Sequence, residues 1–398
     1  MEKHISIKPG LRKGRVRPPV SKSHLHRLLV ADFLAGDFSR LCSDESDAED
    51  IKATKRCLSA LGAARRGGEA LLDCGESGST MRFLAPVAAA LGVKAVFKKA
   101  GRLAERPAKD YGSLESGLFR LEGNVSSQFA TGLLFALPLL EGDSRIEFSS
   151  PLESRGYVDM TLDVLRGAGI RIDETPSGAF EVPGSQKYVS QKSVAPETDW
   201  SGAAFWVAAN AMGNRIEIDA LPEKSLQPDA AVRRAVRGFG GEIDMSGFPD
   251  SFPALAVAAA RVPAVTRFVK TRRLRIKESD RVAAIADLLG RFGVKTEAGD
   301  DFFEVRGTDR PFAAAAVSSF GDHRIAMAAA VGATCADGAV EIDDAACAAK
   351  SYPAFFDQFS RLEILPQALP GLAGGRSILG KGGGSHDRTQ RRNAPGVI

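Results

Sequence analysis

Residues Arg275-Ile276-Lys277-Glu278-Ser279-Asp280-Arg281 place three cations and two carboxylates directly before an apolar helical segment, Ile285–Gly293. A short predicted strand, Val294–Thr296, comes next. Ser279 or Asp280 can cap the helix, and its free N–H groups then face any anion bound there. A solvated helix end with i,i+4 ion pairs would also explain this stretch taken alone. The order of loop, helix, glycine and strand indicates an α/β fold.

The same order recurs along the chain. Other amphipathic helices are predicted to end at glycine in the segments Leu58–Gly62, Leu162–Gly169 and Val232–Gly240, and Ile170–Ile172 is the strand predicted after the second of these. Glycine is the expected residue just beyond a helix C-terminus. Because the intervals between these glycines are irregular, the pattern predicts a repeated α/β unit with insertions and not a tight solenoid.

A second group of helices is apolar on nearly every face, which is typical of buried helices. These helices are predicted over Met81–Leu91, Gln128–Leu140, Ala203–Met212, Phe252–Ala260 and Ile325–Ala336. Each follows a polar or glycine-bearing turn. One such turn is explained by ordinary capping. Several together, with Arg82, Gln128, Asp250 and Arg324 beside them, predict a shared anion site built on helix N-termini.

The candidate site residues suit a small ligand that carries phosphate and carboxylate groups, because guanidinium groups bind both in a bidentate manner. The cations are Lys22, Arg27, Arg82, Arg106, Lys277, Arg281, Arg324 and Lys350; the neutral donors are Ser23, Ser126, Ser127, Gln128, Ser154 and Tyr157; the carboxylates are Asp250 and Glu278. Carboxylates among so many cations should stay ionised and can transfer protons. The chain has no Walker A motif and no zinc-ligand spacing. We expect His24 and His26 to face solvent or to cap a helix, not to bind metal.

Composition narrows the class of protein. The chain has 398 residues, 44% of them hydrophobic, and no apolar run near the roughly 20 residues of a membrane helix. Residues 366–398 hold five cations and one carboxylate, so they carry the whole formal charge of +4. A neutral remainder argues against a nucleic-acid-binding protein. Five cysteines without a Cys-x-x-Cys pair, and no apolar signal region, predict a cytoplasmic protein with reduced thiols. The Gly-rich tail is predicted to be disordered.

Nine short motifs, taken in order, resemble those of the EPSP synthases (3-phosphoshikimate 1-carboxyvinyltransferases) from about residue 16 to Phe359. They are Val20-Ser-Lys-Ser-His-Leu-His-Arg27, Gly78-Ser-Thr-Met-Arg82, Glu105-Arg-Pro107, Val125-Ser-Ser-Gln-Phe129, Ser154-Arg-Gly-Tyr157, Pro249-Asp250, Lys277-Glu-Ser-Asp-Arg281, Asp322-His-Arg324 and Lys350-Ser-Tyr-Pro353. Each motif alone is weak evidence, and their common order is strong evidence.

The resemblance implies a two-domain, inside-out α/β barrel. Each domain would contain three βαβαββ repeats with buried helices, and the active site would lie in the cleft between the domains. The first domain would be residues 18–198. The second would combine residues 1–17 with 199–365, leaving residues 366–398 as a tail. The family requires no metal or organic cofactor, and we expect a monomer.

The resemblance also implies an activity and a role for each site residue. The family transfers the enolpyruvyl group of phosphoenolpyruvate to the 5-hydroxyl of shikimate 3-phosphate and releases phosphate. The residues implied for shikimate 3-phosphate are Lys22, Ser23, Arg27, Ser126, Ser127, Gln128, Ser154, Tyr157, Asp250 and Lys277. Those implied for phosphoenolpyruvate are Lys22, Gly78, Arg82, Arg106, Gln128, Arg281, Arg324 and Lys350. Asp250 would take the hydroxyl proton, and Glu278 and Lys22 are the candidates for proton transfer at the methylene carbon.

Two alternatives and two departures stay open at this point. The sister enzyme that uses UDP-N-acetylglucosamine shares the fold, but it usually has a cysteine in the loop that matches residues 98–106, and this chain has none. A non-catalytic anion-binding protein of the same fold is the other alternative. Phe83 stands where many members have proline, which could shift Gly78. Arg273 stands where some members have an asparagine that contacts the shikimate phosphate, so that role is not transferred.

Overall fold

The computed structural model describes residues 3–42, 44–64 and 68–365. Within these ranges the chain forms eleven α-helices and sixteen strands. The helices are α1 (Lys22–Leu34), α2 (Glu49–Ala63), α3 (Gly78–Ala90), α4 (Ser127–Ala136), α5 (Arg155–Gly167), α6 (Trp200–Ala211), α7 (Val232–Ala235), α8 (Phe252–Ala259), α9 (Arg281–Arg291), α10 (His323–Ala333) and α11 (Phe355–Arg361). The strands are β1 (Ile5–Ile7), β2 (Arg12–Val16), β3 (Glu69–Gly75), β4 (Lys94–Lys99), β5 (Leu118–Leu121), β6 (Ser144–Phe148), β7 (Asp173–Glu174), β8 (Phe180–Val182), β9 (Arg215–Ile218), β10 (Glu242–Asp244), β11 (Val265–Val269), β12 (Lys295–Ala298), β13 (Phe302–Arg306), β14 (Ala315–Val317), β15 (Val340–Ile342) and β16 (Glu363–Ile364).

Two four-stranded sheets share one topology. Their strand orders are β5-β6-β8-β7 and β10-β11-β13-β12. In both sheets the first pair is parallel and the next two pairs are antiparallel. Parallel pairing needs a crossover connection, and α4 and α8 supply it here. The recurrence of this unit in the two halves of the chain confirms the repeated α/β pattern expected from the sequence.

Strands β3 and β4 form a separate parallel pair, and the two remaining sheets join the N-terminus to the second half of the chain. Strand β1 pairs with β15, and β2 pairs with β9 and β16. The buried apolar side chains form two clusters, one within residues 25–188 and one from residues 7–16 and 200–362. The chain passes between the clusters twice, and the two passages are bonded to each other by a β-bridge between Val20 and Thr198. The described residues therefore form two hydrophobic cores.

The helices predicted to be buried are buried. Every residue of α8 and of α10 is inaccessible or nearly so, and α3, α4 and α6 expose few of their residues. Their apolar character on all faces reflects this position inside the structure. A polar residue caps each of these helices except α8. Ser77, Ser126, Asp199 and Asp322 accept hydrogen bonds from backbone N–H groups in the first turns of α3, α4, α6 and α10.

Three predictions about secondary structure need correction. Residues 170–172 are not a strand, and β7 begins at Asp173. Gly62 lies inside α2, which continues to Ala63. The segment predicted as one helix ending at Gly240 is α-helical only over Val232–Ala235 and continues as a 3-10 helix. In each case the pattern of polar and apolar residues was interpreted correctly, but the backbone hydrogen bonds that define the helix or strand lie at other residues.

None of the helices in the described ranges is both long and apolar enough to span a membrane. The predicted disordered tail, residues 366–398, lies outside the described residues.

Candidate active site

A cleft brings together predicted site residues from both apolar clusters. Fourteen of the seventeen line it: Lys22, Ser23, Arg27, Gly78, Arg82, Arg106, Ser126, Ser127, Gln128, Ser154, Tyr157, Asp250, Lys277 and Glu278. Of the other three, Arg281 and Arg324 each contact a lining residue, and Lys350 lies close enough to the lining carboxylates Glu278 and Asp50 for both to raise its pKa. Arg281 and Arg324 bind the carboxylate of Asp250, at 2.9 and 3.3 Å, and Lys350 binds Glu76. The structure thus assembles the whole predicted set at one place.

The start of α1 supplies two of the cations. Ser21 caps this helix, and the next residue, Lys22, pairs with the buried Asp50 at 2.6 Å. One turn later, Arg27 donates to the hydroxyl of Thr161 and to the backbone oxygens of Ser23 and Tyr157. All three acceptors are neutral, and burial lowers the pKa of Arg27 to about 10. Arg27 therefore carries a positive charge that forms no ion pair with a carboxylate in the part of the chain that the structure describes.

Helices α3 and α4 supply a second cation of this kind. Arg82 donates to the side-chain oxygen of Gln128 at 2.7 Å and to the backbone oxygen of Pro107. Burial, and then the neighbouring Arg106, lower the pKa of Arg82 to about 10. A Cβ at Gly78 would lie 2.7 Å from the guanidinium of Arg82 and 3.3 Å from that of Arg106. Glycine is required there because any side chain would fill the space between the two cations.

Phe83, the departure noted in the sequence, packs below this side of the cleft. Its side chain is 2% exposed, and the guanidinium of Arg27 lies 5.3 Å from the centre of its ring. His26 meets the ring edge-on. Phe83 therefore supports Arg27 by a cation–π contact.

The far end of the cleft is polar. Ser154 adopts a left-handed conformation with φ of 56°, which is uncommon for serine and turns the chain into α5. Its hydroxyl accepts a hydrogen bond from Arg273 at 3.0 Å, and Arg273 also pairs with Glu153. Tyr157 donates to the buried Asp229 at 2.6 Å. Arg273, whose role the sequence left open, thus adds a cation beside the predicted serine.

The opposite wall carries cations that are matched by carboxylates. Asp250 follows a short turn before α8 and contacts Lys277 at 3.2 Å as well as Arg281 and Arg324. Burial alone would raise the pKa of Asp250, but Lys277, Arg324 and Arg281 outweigh burial and hold that pKa well below its ordinary value. Asp250 is therefore ionised in this arrangement.

Arg281 is the centre of this network. Asp280 caps α9, which sets Arg281 at the first helical position with 1% of its side chain exposed. Its guanidinium contacts Asp250 at 2.9 Å, Glu278 at 2.7 Å and Asp322 at 2.9 Å. Burial would raise the pKa of Glu278, but Arg281 and Arg106 hold it well below its ordinary value. Both predicted catalytic carboxylates thus pair with the same guanidinium, which is the main cation acting on Glu278 and one of three acting on Asp250.

Sequence reasoning missed several residues of the site. They are His26, Asp50, Glu76, Asp229 and Asp322. The expectation that His26 faces solvent was wrong, because it is 1% exposed and contacts Thr54 at 2.7 Å and Ser79 at 3.2 Å. Burial lowers the pKa of His26 to about 3, so it is neutral. One signal was available: His26 and Asp322 lie inside quoted motifs, and Glu76 lies two residues before one. Asp50 had none, since its partner is 28 residues away.

Two comparisons of the sequence with known proteins give the same family. The family model of EPSP synthase (3-phosphoshikimate 1-carboxyvinyltransferase) matches residues 111–359. The 3-phosphoshikimate 1-carboxyvinyltransferase of Clostridium kluyveri is 36% identical over 418 residues, covering 90% of this chain and 97% of the relative. That of Clostridioides difficile is 34% identical with the same coverage.

Solved structures agree on the fold. EPSP synthase from Acinetobacter baumannii superposes with a TM-score of 0.69 at 21% identity, covering 91% of this chain and 99% of that chain. The enolpyruvyl transferase NikO from Streptomyces tendae superposes with a TM-score of 0.60 at 16% identity, covering 90% and 97%. The fold is therefore that of the enolpyruvyl transferases. Within that class, the matched family model and the relatives above 30% identity show that the chain belongs to the EPSP synthase family.

Proposed function

We propose that this protein is a 3-phosphoshikimate 1-carboxyvinyltransferase of the shikimate pathway. It moves the enolpyruvyl group of phosphoenolpyruvate to the 5-hydroxyl of shikimate 3-phosphate and releases phosphate. The observation that carries the proposal is the cleft in which Arg27 and Arg82 carry uncompensated charge opposite the ionised carboxylates Asp250 and Glu278. Such a site can bind two polyanions and still exchange protons.

The polar end of the cleft suits shikimate 3-phosphate. The hydroxyl donors at this end are Ser23, Ser126, Ser127, Ser154 and Tyr157. Together with Arg27 and Lys277 they can bind a phosphate, a carboxylate and hydroxyl groups. Gln128 and Lys22 also line the cleft and would contact both substrates. Arg273 lies 3.0 Å from the hydroxyl of Ser154, and we assign it to the phosphate of this substrate. A guanidinium fork fits a phosphate better than an asparagine amide does.

The other end suits phosphoenolpyruvate. The space kept open by Gly78 lies between Arg82 and Arg106, and a planar anion there would meet two guanidinium forks. Lys22, Gln128, Arg281, Arg324 and Lys350 complete this set. The pocket lies beside Glu278, which is 3.7 Å from Arg106. The donor carbon would therefore sit near a carboxylate able to exchange a proton.

The proposed reaction has two steps, and each transferred proton has a donor and an acceptor. In the first, the acceptor oxygen bonds to C2 of phosphoenolpyruvate, Asp250 takes the hydroxyl proton, and the ammonium of Lys22 gives a proton to the methylene carbon, because Glu278 is ionised and has none to give. In the second, the bond from C2 to the phosphate oxygen breaks, the methyl carbon returns a proton to Lys22, and the proton on Asp250 leaves with the released phosphate. Asp250 is a weak base while three cations hold it. Substrate anions that engage Lys277 and Arg324 would draw these cations away and raise its pKa.

We also propose the finer architecture expected from the family, an inside-out barrel of two domains with boundaries near residues 18, 198 and 365. The two apolar clusters and the paired passages at Val20 and Thr198 support it. The expectations of a monomer and of a cytoplasmic location remain predictions.

The test is phosphate release from phosphoenolpyruvate by the purified protein in the presence of EDTA. We expect release with shikimate 3-phosphate, and none without it or with UDP-N-acetylglucosamine in its place. Release with the sugar nucleotide would reassign the acceptor. Absence of release with either acceptor, from a protein that unfolds cooperatively, would reduce the function to anion binding.

A further inference from the structure

Glu76 is a carboxylate that the proposed chemistry does not use. It stands two residues before α3, and its side chain reaches Lys350 with an Oε2–Nζ distance of 2.8 Å. The two residues are 274 positions apart in the sequence. The backbone oxygen of Glu76 also accepts a hydrogen bond from Lys350, at 3.5 Å. Glu76 is therefore the direct partner of a cation assigned to phosphoenolpyruvate.

The glycine at position 101 leaves room for this carboxylate. A Cβ at Gly101 would lie 2.0 Å from Oε1 of Glu76, and Gly101 has a φ of +51°, a conformation that residues with side chains rarely adopt. The loop that begins at Gly101 leads to Arg106 on the cleft wall. Glu76 thus rests against the loop that carries a second donor-binding cation.

Glu76 differs from the other carboxylates of the site in its exposure. Its side chain is 46% exposed, whereas the side chains of Asp50, Asp250, Glu278 and Asp322 are between 0 and 26% exposed. A pair with one solvated member is weak and exchanges partners readily. The Lys350 side chain is only 10% exposed, so its ammonium group cannot be satisfied by water alone.

The ammonium of Lys350 is held charged by its surroundings. Burial works to lower its pKa, but Glu278, Asp50 and Glu76 together raise that pKa above its ordinary value. Among these three carboxylates, the structure gives only Glu76 a direct ion pair with Lys350 among the described residues. An anionic substrate that engages Lys350 must therefore either displace Glu76 or share the ammonium with it.

We propose that Glu76 is an internal competitor of phosphoenolpyruvate, a counter-ion that occupies Lys350 in the unliganded enzyme and sets the affinity for the donor. The identity of the donor rests on the proposed function. Substrate anion replaces the Glu76 carboxylate at the ammonium group, and the carboxylate returns when phosphate leaves. Glu76 lowers the affinity for the donor by electrostatic repulsion, because two anions then lie around one cation.

The matched variant is Glu76→Gln, which keeps the size and an acceptor oxygen and removes the charge. We expect the KM for phosphoenolpyruvate to fall about three- to ten-fold, with the KM for shikimate 3-phosphate unchanged. The inhibition constant of inorganic phosphate should fall by a similar factor. The control is Glu105→Gln, which removes an equal charge from the loop that carries Arg106, at a side chain that is 76% exposed and lies 3.9 Å from Arg102.

Two further readouts separate a charge effect from a structural one. The difference between wild type and Glu76→Gln should shrink as salt rises from about 0.02 M to about 0.5 M, because screening weakens the repulsion. It should also disappear when Lys350 is replaced by methionine in both proteins, because the competition needs the ammonium. A rise in the donor KM would mean that Glu76 positions Lys350 for binding, and an unchanged KM would mean that it has no effect on the donor. Either result overturns the inference.

Failure of the inference is distinguishable from failure of the proposed function. If the wild type turns over shikimate 3-phosphate and Glu76→Gln shows no tighter donor binding, only the inference falls. If the wild type shows no turnover, phosphoenolpyruvate is titrated into both acceptor-free proteins in a calorimeter. A tighter dissociation constant for Glu76→Gln supports the competition at Lys350 even then, and equal constants reject it.

Discussion

The guanidinium of Arg82 rests on two neutral oxygens, whereas that of Arg281 rests on three carboxylates. The same difference between neutral and charged partners distinguishes the two sides of the cleft. Arg27 and Arg82, from residues 22–157, have lowered pKa values because burial is the largest effect on both, and the opposing effect of Glu278 on Arg82 does not offset it. Arg281 and Arg324, from the opposite wall, have raised pKa values because carboxylates overcome burial.

The difference assigns separate tasks to the two walls of the cleft. The first wall, from residues 22–157, contains Arg27 and Arg82, and the second wall contains Arg281 and Arg324. An uncompensated buried cation gains most from a ligand anion, since that anion supplies the missing charge partner. A compensated cation gains less from the ligand and instead keeps its carboxylates ionised and in place. The first wall should therefore govern substrate affinity, and the second should govern proton transfer and stability. Variants of each wall can test this division.

Asp250→Asn should have the largest effect. The amide keeps the shape of the side chain and cannot take the hydroxyl proton, so we expect kcat to fall about 10²- to 10⁴-fold. The KM values should change by much less. The control is Asp300→Asn, an exposed acid on the same half of the chain, which should match wild type. Wild-type turnover by Asp250→Asn would remove the base role and break the division between the walls.

Asp322→Ala tests stability on the second wall. Asp322 is fully buried and supports Arg281, the hydroxyl of Ser279 and the first turn of α10. Removing one member of a buried pair leaves an unpaired charge, so the free energy of unfolding should fall by about 3 to 5 kcal/mol. Urea unfolding measures this. The exposed pair of Asp287 with Arg291 is the comparison, and Asp287→Ala should cost less than about 1 kcal/mol. Equal losses would contradict the argument.

Arg82→Met tests affinity on the first wall. We expect the KM for phosphoenolpyruvate to rise about 10- to 100-fold, the effect of losing hydrogen bonds to a charged group. The free energy of unfolding should change by less than about 1.5 kcal/mol, because burial already opposes this charge and its acceptors are neutral. Steady-state kinetics and urea unfolding on one preparation provide both values. A stability loss as large as that of Asp322→Ala, with an unchanged KM, would reverse the assignment of the walls.

The parts of the fold that depend on local sequence were predictable. The buried helices are apolar on all faces, and a capping residue stands one position before most of them, as at Asp199 and Asp322. The motifs also identified every lining cation of the cleft except Arg273. These signals are local because helix periodicity and capping involve residues within a few positions of each other.

The pairing of the charges was not predictable. Asp50 reaches Lys22 across 28 positions, and Glu76 reaches Lys350 across 274, so only the folded chain shows which carboxylate neutralises which cation. The burial of His26 was missed for a related reason, because the polar neighbours that satisfy it, Thr54 and Ser79, lie on other helices. Tertiary contacts decide such cases, and a linear pattern of charges does not contain them.

Asp199 is the smallest test of the division, because it is a buried carboxylate close enough to Arg324 of the second wall to feel its charge, and it has no ion pair among the described residues. It caps α6 through the backbone N–H of Gly202. Burial raises its pKa to about 6, with Arg324 working against burial and Asp229 adding to it. The protein therefore holds a proton on Asp199 at pH values where the unfolded chain, with a pKa near 3.9, has released it.

The sign of the pH dependence follows from this proton. Between about pH 4 and pH 6 the folded state binds more protons than the unfolded state, so the contribution of Asp199 to stability declines as pH rises and is constant above about pH 7. Asp199→Asn keeps a capping side chain and does not titrate. Its free energy of unfolding relative to wild type should therefore increase by about 1 to 2 kcal/mol from pH 4 to pH 7. Urea unfolding across this range measures the difference. A difference that stays flat with pH would mean that Arg324 compensates Asp199 as fully as it does Asp250, and the second wall would then contain no uncompensated charge.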